Sequence, residues 1–266
     1  MPDIRSDVTE HEPESWPDAD VFHCGFPCQP FSMAGQRLGV KDVRGQLIYF
    51  IMKLIACKLF KVVLLENVRG LLQAKFRPLL DWILAEFRRL GYIVDYEMMN
   101  ARFHGVPQNR ERVFIAAVRA DVATTTTFAW PSELQPVSLR SVLDPLTTEE
   151  RSKNLNKLRP PASQTVATRN VNEAYREMRA NGLAPAEVAM VIDVDAVNCH
   201  MMFDCSPCLT RARAQAGGHW ITCRGRRMSS NEMERLMGIG MVSGPVRVPL
   251  TRPAHLTDRE WHGILG

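Results

Sequence analysis

The order of apolar and polar positions changes period several times along the first part of the chain. Residues 61–65, Lys-Val-Val-Leu-Leu, form a compact aliphatic run, which predicts a strand buried on both faces of a parallel sheet. Residues 20–24 read as a shorter buried strand, and between the two strands residues 46–59 carry apolar side chains at helical spacing. Leu79, Leu80, Ile83, Leu84, Phe87 and Leu90 then mark one face of an amphipathic helix over 77–90, which Gly91 is placed to terminate. Strands are read next at 92–100 and 113–117. Strands alternating with helices predict an α/β architecture. In open sheets of that class ligands collect beyond the carboxyl ends of the strands.

After Arg119 the texture changes. Thr124 to Thr127 form a four-threonine tract, Pro131, Pro136 and Pro145 punctuate the next stretch, and periodicity weakens. Residues 152–179 are basic, with Lys153, Lys157, Arg159, Arg169, Arg176 and Arg179. This division predicts one domain over 1–119, a second and smaller irregular one over 120–205, and a segment over 206–266 that returns to the first. Within the last, Ser229 or Ser230 is placed to cap a short helix that Gly238 ends.

Composition narrows the class without choosing a function. Of the 266 residues 45% are hydrophobic and 23% charged, as in ordinary globular proteins. A net charge of +4 is compatible with a polyanionic partner and with many metabolic enzymes alike. Seven cysteines without regular spacing argue against a disulfide scaffold and for a reducing compartment. No secretory or transmembrane segment is read in the sequence, so a cytoplasmic, nucleoid-associated or nuclear protein is expected. Cys199, His200, Cys205, Cys208 and His219 lack the second paired half of a zinc site, and no metal is expected.

The chemistry centres on Gly25-Phe26-Pro27-Cys28-Gln29-Pro30-Phe31-Ser32. It sets one thiol on the loop leaving the carboxyl end of a strand, with Pro27 and Pro30 restricting the backbone on both sides. A free thiol is only about three per cent thiolate at neutral pH, so a reactive cysteine needs its surroundings to activate it. Glu66 directly follows the buried strand at 61–65, where a carboxylate is costly without a partner or a task. Gln108-Asn109-Arg110-Glu111-Arg112 precedes the strand at 113–117, and two arginines at i and i+2 on an extended segment share a face.

The octet closely resembles the nucleophile motif of the C5-cytosine-specific DNA methyltransferases, and the Glu66-Asn67-Val68 and Gln-x-Arg-x-Arg segments match further blocks of that family in its order. The resemblance implies a Rossmann-like fold that binds S-adenosylmethionine, with a target-recognition domain over 120–205. It puts nucleophilic attack on cytosine C6 at Cys28, contact with the base at Glu66, and contacts with base oxygen, carboxylate and phosphate on Arg110 and Arg112 together. Asp3 and Ile4 look like the segment that meets the adenine of the cofactor, and Pro27 and Leu47 would also face it. Gln36 and Arg37, in a glycine-rich loop, would approach double-stranded DNA, as would Arg211 and Arg213 after the return segment that begins at Ser206.

Family members also carry a glycine-rich turn after their first strand and a Gly-Asn-x-Val-Pro block near their end. Neither is recognised here, which leads to the expectation of a fold truncated at its first strands, with a second polypeptide as one possible source of the missing cofactor motifs. Two other readings are compatible with the same residues. One is methylation of RNA cytosine, since a branch of the family acts on transfer RNA, and the other is a catalytically silent DNA-binding module.

Overall fold

The computed structural model describes residues 10–26, 47–239 and 252–265. Two compact units divide the chain: Met1–Met99 with Glu111–Ser132, and Asn100–Arg110 with Glu133–Gly266.

In the first unit β1 (Val21–Gly25) is followed by α1 (Leu47–Lys58), β2 (Val62–Val68), α2 (Arg77–Arg89) and β3 (Tyr92–Asn100). The chain then forms β4 (Gln108–Asn109) in the second unit and comes back as β5 (Glu111–Arg119). The sheet order is β1-β2-β5-β3, with β1 and β2 parallel and β2 and β5 antiparallel. A parallel neighbour needs a crossover, and α1 supplies it. Gly91 adopts φ +84° where α2 ends, a left-handed conformation that costs glycine no side-chain clash.

The strand predicted from residues 61–65 exists, but it is not buried on both faces of a parallel sheet. Val63, Leu65 and Asn67 are buried and Val62, Leu64, Glu66 and Val68 are half-buried. The reason lies in what covers it. Ile48, Ile51, Leu54 and Ile55 of α1 and Leu80, Ile83, Leu84 and Phe87 of α2 form one core with Val63, Leu65, Val113, Ile115 and Ala117. Both helices therefore bury the same side of the sheet, and the alternation along β2 puts Glu66 on the other side.

The second unit carries a small sheet of order β10-β9-β6-β7, made of β6 (Met190–Ile192), β7 (Met201–Phe203), β9 (Trp220–Ile221) and β10 (Arg226–Arg227). A parallel pair joins β4 to β8 (Ser206–Pro207). Its helices are α3 (Thr148–Ser152), α4 (Thr165–Ala180), α5 (Arg211–Gln215), α6 (Ser230–Leu236) and α7 (Asp258–Leu265).

The 16-residue α4 contrasts with the weak periodicity read after Arg119. Its buried face is made by Ala167, Asn170, Val171, Ala174, Tyr175 and Met178, and small or polar residues at half of these positions mute the hydrophobic signal. Asn170 is held there by bonds from its amide to the carbonyls of Val194 and Ala196, and Tyr175 accepts a bond of 3.1 Å from Trp220 Nε1. Ser229, not Ser230, caps α6, in a capping box with Glu232.

Candidate active site

The carboxyl ends of β1 and β2 meet at the pairs Cys24 with Leu65 and Gly25 with Glu66. Across the antiparallel edge of β2, Glu66 stands opposite Phe114 and Val68 opposite Arg112. Arg112 is therefore the diagonal neighbour of Glu66 on one face, within reach of a long side chain. Its Nε lies 2.6 Å from Glu66 Oε1, with the arginine side chain 16% and the glutamate 26% exposed. The guanidinium also donates through Nη1 to the carbonyl of Glu111 at 2.8 Å. Arg69, just beyond β2, holds the Glu111 carboxylate at 2.6 Å, which steadies the strand on which Arg112 is carried.

Glycine at position 25 fits the same geometry. A Cβ there would stand 3.1 Å from Glu66 Oε2, closer than a side chain comfortably allows. The carboxylate thus lies against bare backbone, three residues before Cys28 in the chain. Next to it, burial pushes the Cys24 thiol up to about 11, and the Glu66 charge adds to the shift. A thiol held protonated in this way is a packing group and not a nucleophile.

Arg110 and Arg112 do not act as a same-face pair on one strand. The strand breaks at Arg110, between β4 and β5, and the side chain of Arg110 lies in the second unit at 3.5 Å from the Leu209 carbonyl and 3.8 Å from Cys208 Sγ. Gln108, from the same motif, is fully buried: its amide donates to the Leu236 carbonyl at 2.7 Å and accepts from the Leu209 N–H at 3.1 Å. Sequence reasoning assigned Gln108 no role. Its place at the head of the Gln-x-Arg-x-Arg pattern was the available signal.

The remaining site residues fall into two groups. Leu47 begins α1 and is half-buried against the core of the first unit. Arg211 is exposed at the start of α5, whereas Arg213 is engaged at 2.7 Å with Asp193. Asp3, Ile4, Pro27, Cys28, Gln36 and Arg37 lie outside the described residues. Among the described residues no group of three or more His, Cys, Asp or Glu side chains could hold a metal ion, and no helix is long and apolar enough to cross a membrane.

The C-5 cytosine-specific DNA methylase family matches residues 2–240. The chain belongs to that family. Within it, the type II methyltransferase M.BanI of Aneurinibacillus aneurinilyticus is 42% identical over 108 residues, which are 41% of this chain and 25% of that protein. M.NlaX of Neisseria lactamica is 41% identical over 112 residues, 42% of this chain and 36% of that protein. The matched region is thus a quarter to about a third of each of these curated methylases. Among solved structures, the methyltransferase EhMeth of Entamoeba histolytica superposes with a TM-score of 0.58 at 13% identity, covering 93% of this chain and 72% of that one. The Dnmt2 methyltransferase of S. pombe gives 0.52 at 17% identity over 96% and 78%. At such identities the likeness concerns the fold, a Rossmann-like methyltransferase α/β sheet.

Proposed function

We propose that this protein methylates C5 of cytosine in double-stranded DNA, with S-adenosylmethionine as the methyl donor and Cys28 as the nucleophile. The observation that supports this reading best is the Glu66–Arg112 ion pair at the carboxyl end of β2, aligned with Gly25 at the start of the nucleophile octet. Family membership favours the same chemistry.

Cytosine C5 is a weak nucleophile. Addition of the Cys28 thiolate to C6 makes the ring an enamine whose C5 can attack an electrophilic methyl, and transfer of the C5 proton to a base, with water as the acceptor always at hand, then expels the thiolate. One difficult step becomes two easier ones. Charge develops on the ring as the thiolate adds. Glu66, sharing a proton with N3, and an arginine at O2 would stabilise that state more than the ground state. Arg112 holds the carboxylate in place, and base and phosphate contacts are assigned to Arg110 and Arg112 together. A base within a duplex is out of reach of such a site, so it must be rotated out of the stack.

The methyl donor supplies an activated methyl group on a sulfonium. Leu47, half-buried at the start of α1, is assigned a contact with the donor. Asp3, Ile4 and Pro27 complete the proposed donor contacts. A second polypeptide is the candidate source of the glycine-rich turn, with β1 at the edge of the described sheet as its point of attachment. Residues 120–205 are assigned to target recognition, and Gln36, Arg37 and Arg211 to DNA contact.

Labelled methyl transfer from S-adenosylmethionine to mixed-sequence duplex DNA tests the proposal, with Cys28→Ala as control and transfer RNA as a competing acceptor. Incorporation into DNA that vanishes in the variant is expected. Incorporation into transfer RNA alone, or none into DNA after addition of a polypeptide carrying the glycine-rich turn, would overturn it.

A further inference from the structure

We infer that Asn67 is a positioning residue that ties the root of the nucleophile loop to the strand carrying Glu66. The inference rests on the proposed methyltransferase function for its meaning, and on the first unit alone for its geometry.

Asn67 is 1% exposed. Its Nδ2 donates to the carbonyl of Phe26 at 3.3 Å, and its Oδ1 accepts from the N–H of Val68 at 2.9 Å. Phe26 is itself buried in the core formed by α1, α2 and the covered side of the sheet. It is also two residues before Cys28. Alternation along β2 sends consecutive side chains to opposite sides, so Glu66 faces Arg112 while Asn67 faces the core. Two adjacent residues thus divide two tasks: one presents a carboxylate, and the other holds the backbone from which the thiol is carried.

The residue type is explained by the contacts. The site uses one donor and one acceptor from a single short planar amide. Aspartate matches the size but brings a second acceptor against the Phe26 carbonyl. Leucine fills the space and supplies neither group. Glutamine adds a methylene, and inserting one into a packed core costs stability. A shift of about 1 Å between reacting groups can lower a rate by about 10²-fold, so the fastening has a kinetic consequence although Asn67 touches neither base nor methyl donor.

The test compares Asn67→Asp and Asn67→Leu with wild type in single-turnover methyl transfer, DNA binding, thermal melting and the alkylation rate of Cys28 by iodoacetamide, resolved by peptide mass spectrometry. The expected result is a fall in the methyl-transfer rate constant of about 10²-fold in both variants, with DNA affinity unchanged and a native melting transition kept by at least one of them. Wild-type rates in either variant would overturn the inference. If the wild-type protein itself transfers no methyl group, the functional reading fails separately. Asn67 is then judged by Cys28 alkylation, where a change of about three-fold or more in rate supports positioning and an unchanged rate refutes it.

Discussion

Arg112 Nε and Glu66 Oε1 stand 2.6 Å apart on the side of the sheet that α1 and α2 leave uncovered. The pair is made by register: Val68 lies opposite Arg112, and Glu66 is one same-face step away. Arg112 orients the Glu66 carboxylate through Oε1, while Oε2 is turned to Gly25.

Glu66→Gln is expected to lower the methyl-transfer rate by about 10²- to 10⁴-fold, the usual range for loss of a positioned acid or base, with DNA affinity unchanged. Arg112→Ala removes charge-assisted hydrogen bonds and should also cost about 2 kcal/mol of stability. Single-turnover kinetics and denaturant titration of both variants separate the two effects.

Gly25→Ala tests the close approach of the carboxylate. The new Cβ would stand 3.1 Å from Glu66 Oε2, so the carboxylate must move by a few tenths of an ångström. Methyl transfer should drop by about ten-fold or more, while the melting temperature moves little. An alanine variant with full activity would show that the position of Oε2 is not critical.

Arg211→Ala and Arg213→Ala should behave differently although they are neighbours on α5. Arg211 is exposed, and its loss is expected to weaken DNA binding and reduce the slope of log affinity against log salt by about 1. Arg213 holds Asp193 at 2.7 Å and is only 28% exposed, so its loss should lower the melting temperature more than the salt slope. Equal salt slopes for the two variants would contradict this division.

His219 is expected to make the second unit sensitive to acid. Burial pushes its imidazole down to about 4 from the ordinary 6.5, against the opposing pull of Asp193 and Asp195, while Arg213 adds to the lowering. The unfolded chain takes up the proton first, so stability is fully present above 6.5 and is lost as pH falls from there towards 4. Denaturant midpoints measured across that window should fall in wild type and fall less in His219→Leu. Parallel curves would assign the acid sensitivity to other groups.

How much of this was legible in the amino-acid order depends on whether the signal was local. Helix α2 announces itself because burial on one face imposes a period on the residues that make it. Strands β1 and β2 were legible as short apolar runs, and their burial is less complete than those runs implied: β1 has only exposed and half-buried residues and β2 is buried on one face. The octet around Cys28 and the carboxylate at Glu66 could be picked out for the same reason, since a strand followed by a chemical group is a feature of neighbours in sequence. Helix α4 was not legible, because half of its buried face is alanine or asparagine and its stability comes from partners such as Val194, Ala196 and Trp220 that are distant in the chain.

The sequence by itself thus determined which segments of the first unit become strands and helices and where along them the reactive groups lie. Tertiary structure alone decided which arginine meets Glu66, which side of the sheet is covered, and that Asn67 grips Phe26. Strand pairing is the physical reason. A slip of one residue between β2 and β5 would turn Arg112 to the opposite face, and that register is set by contacts between segments far apart in sequence, which no local pattern encodes.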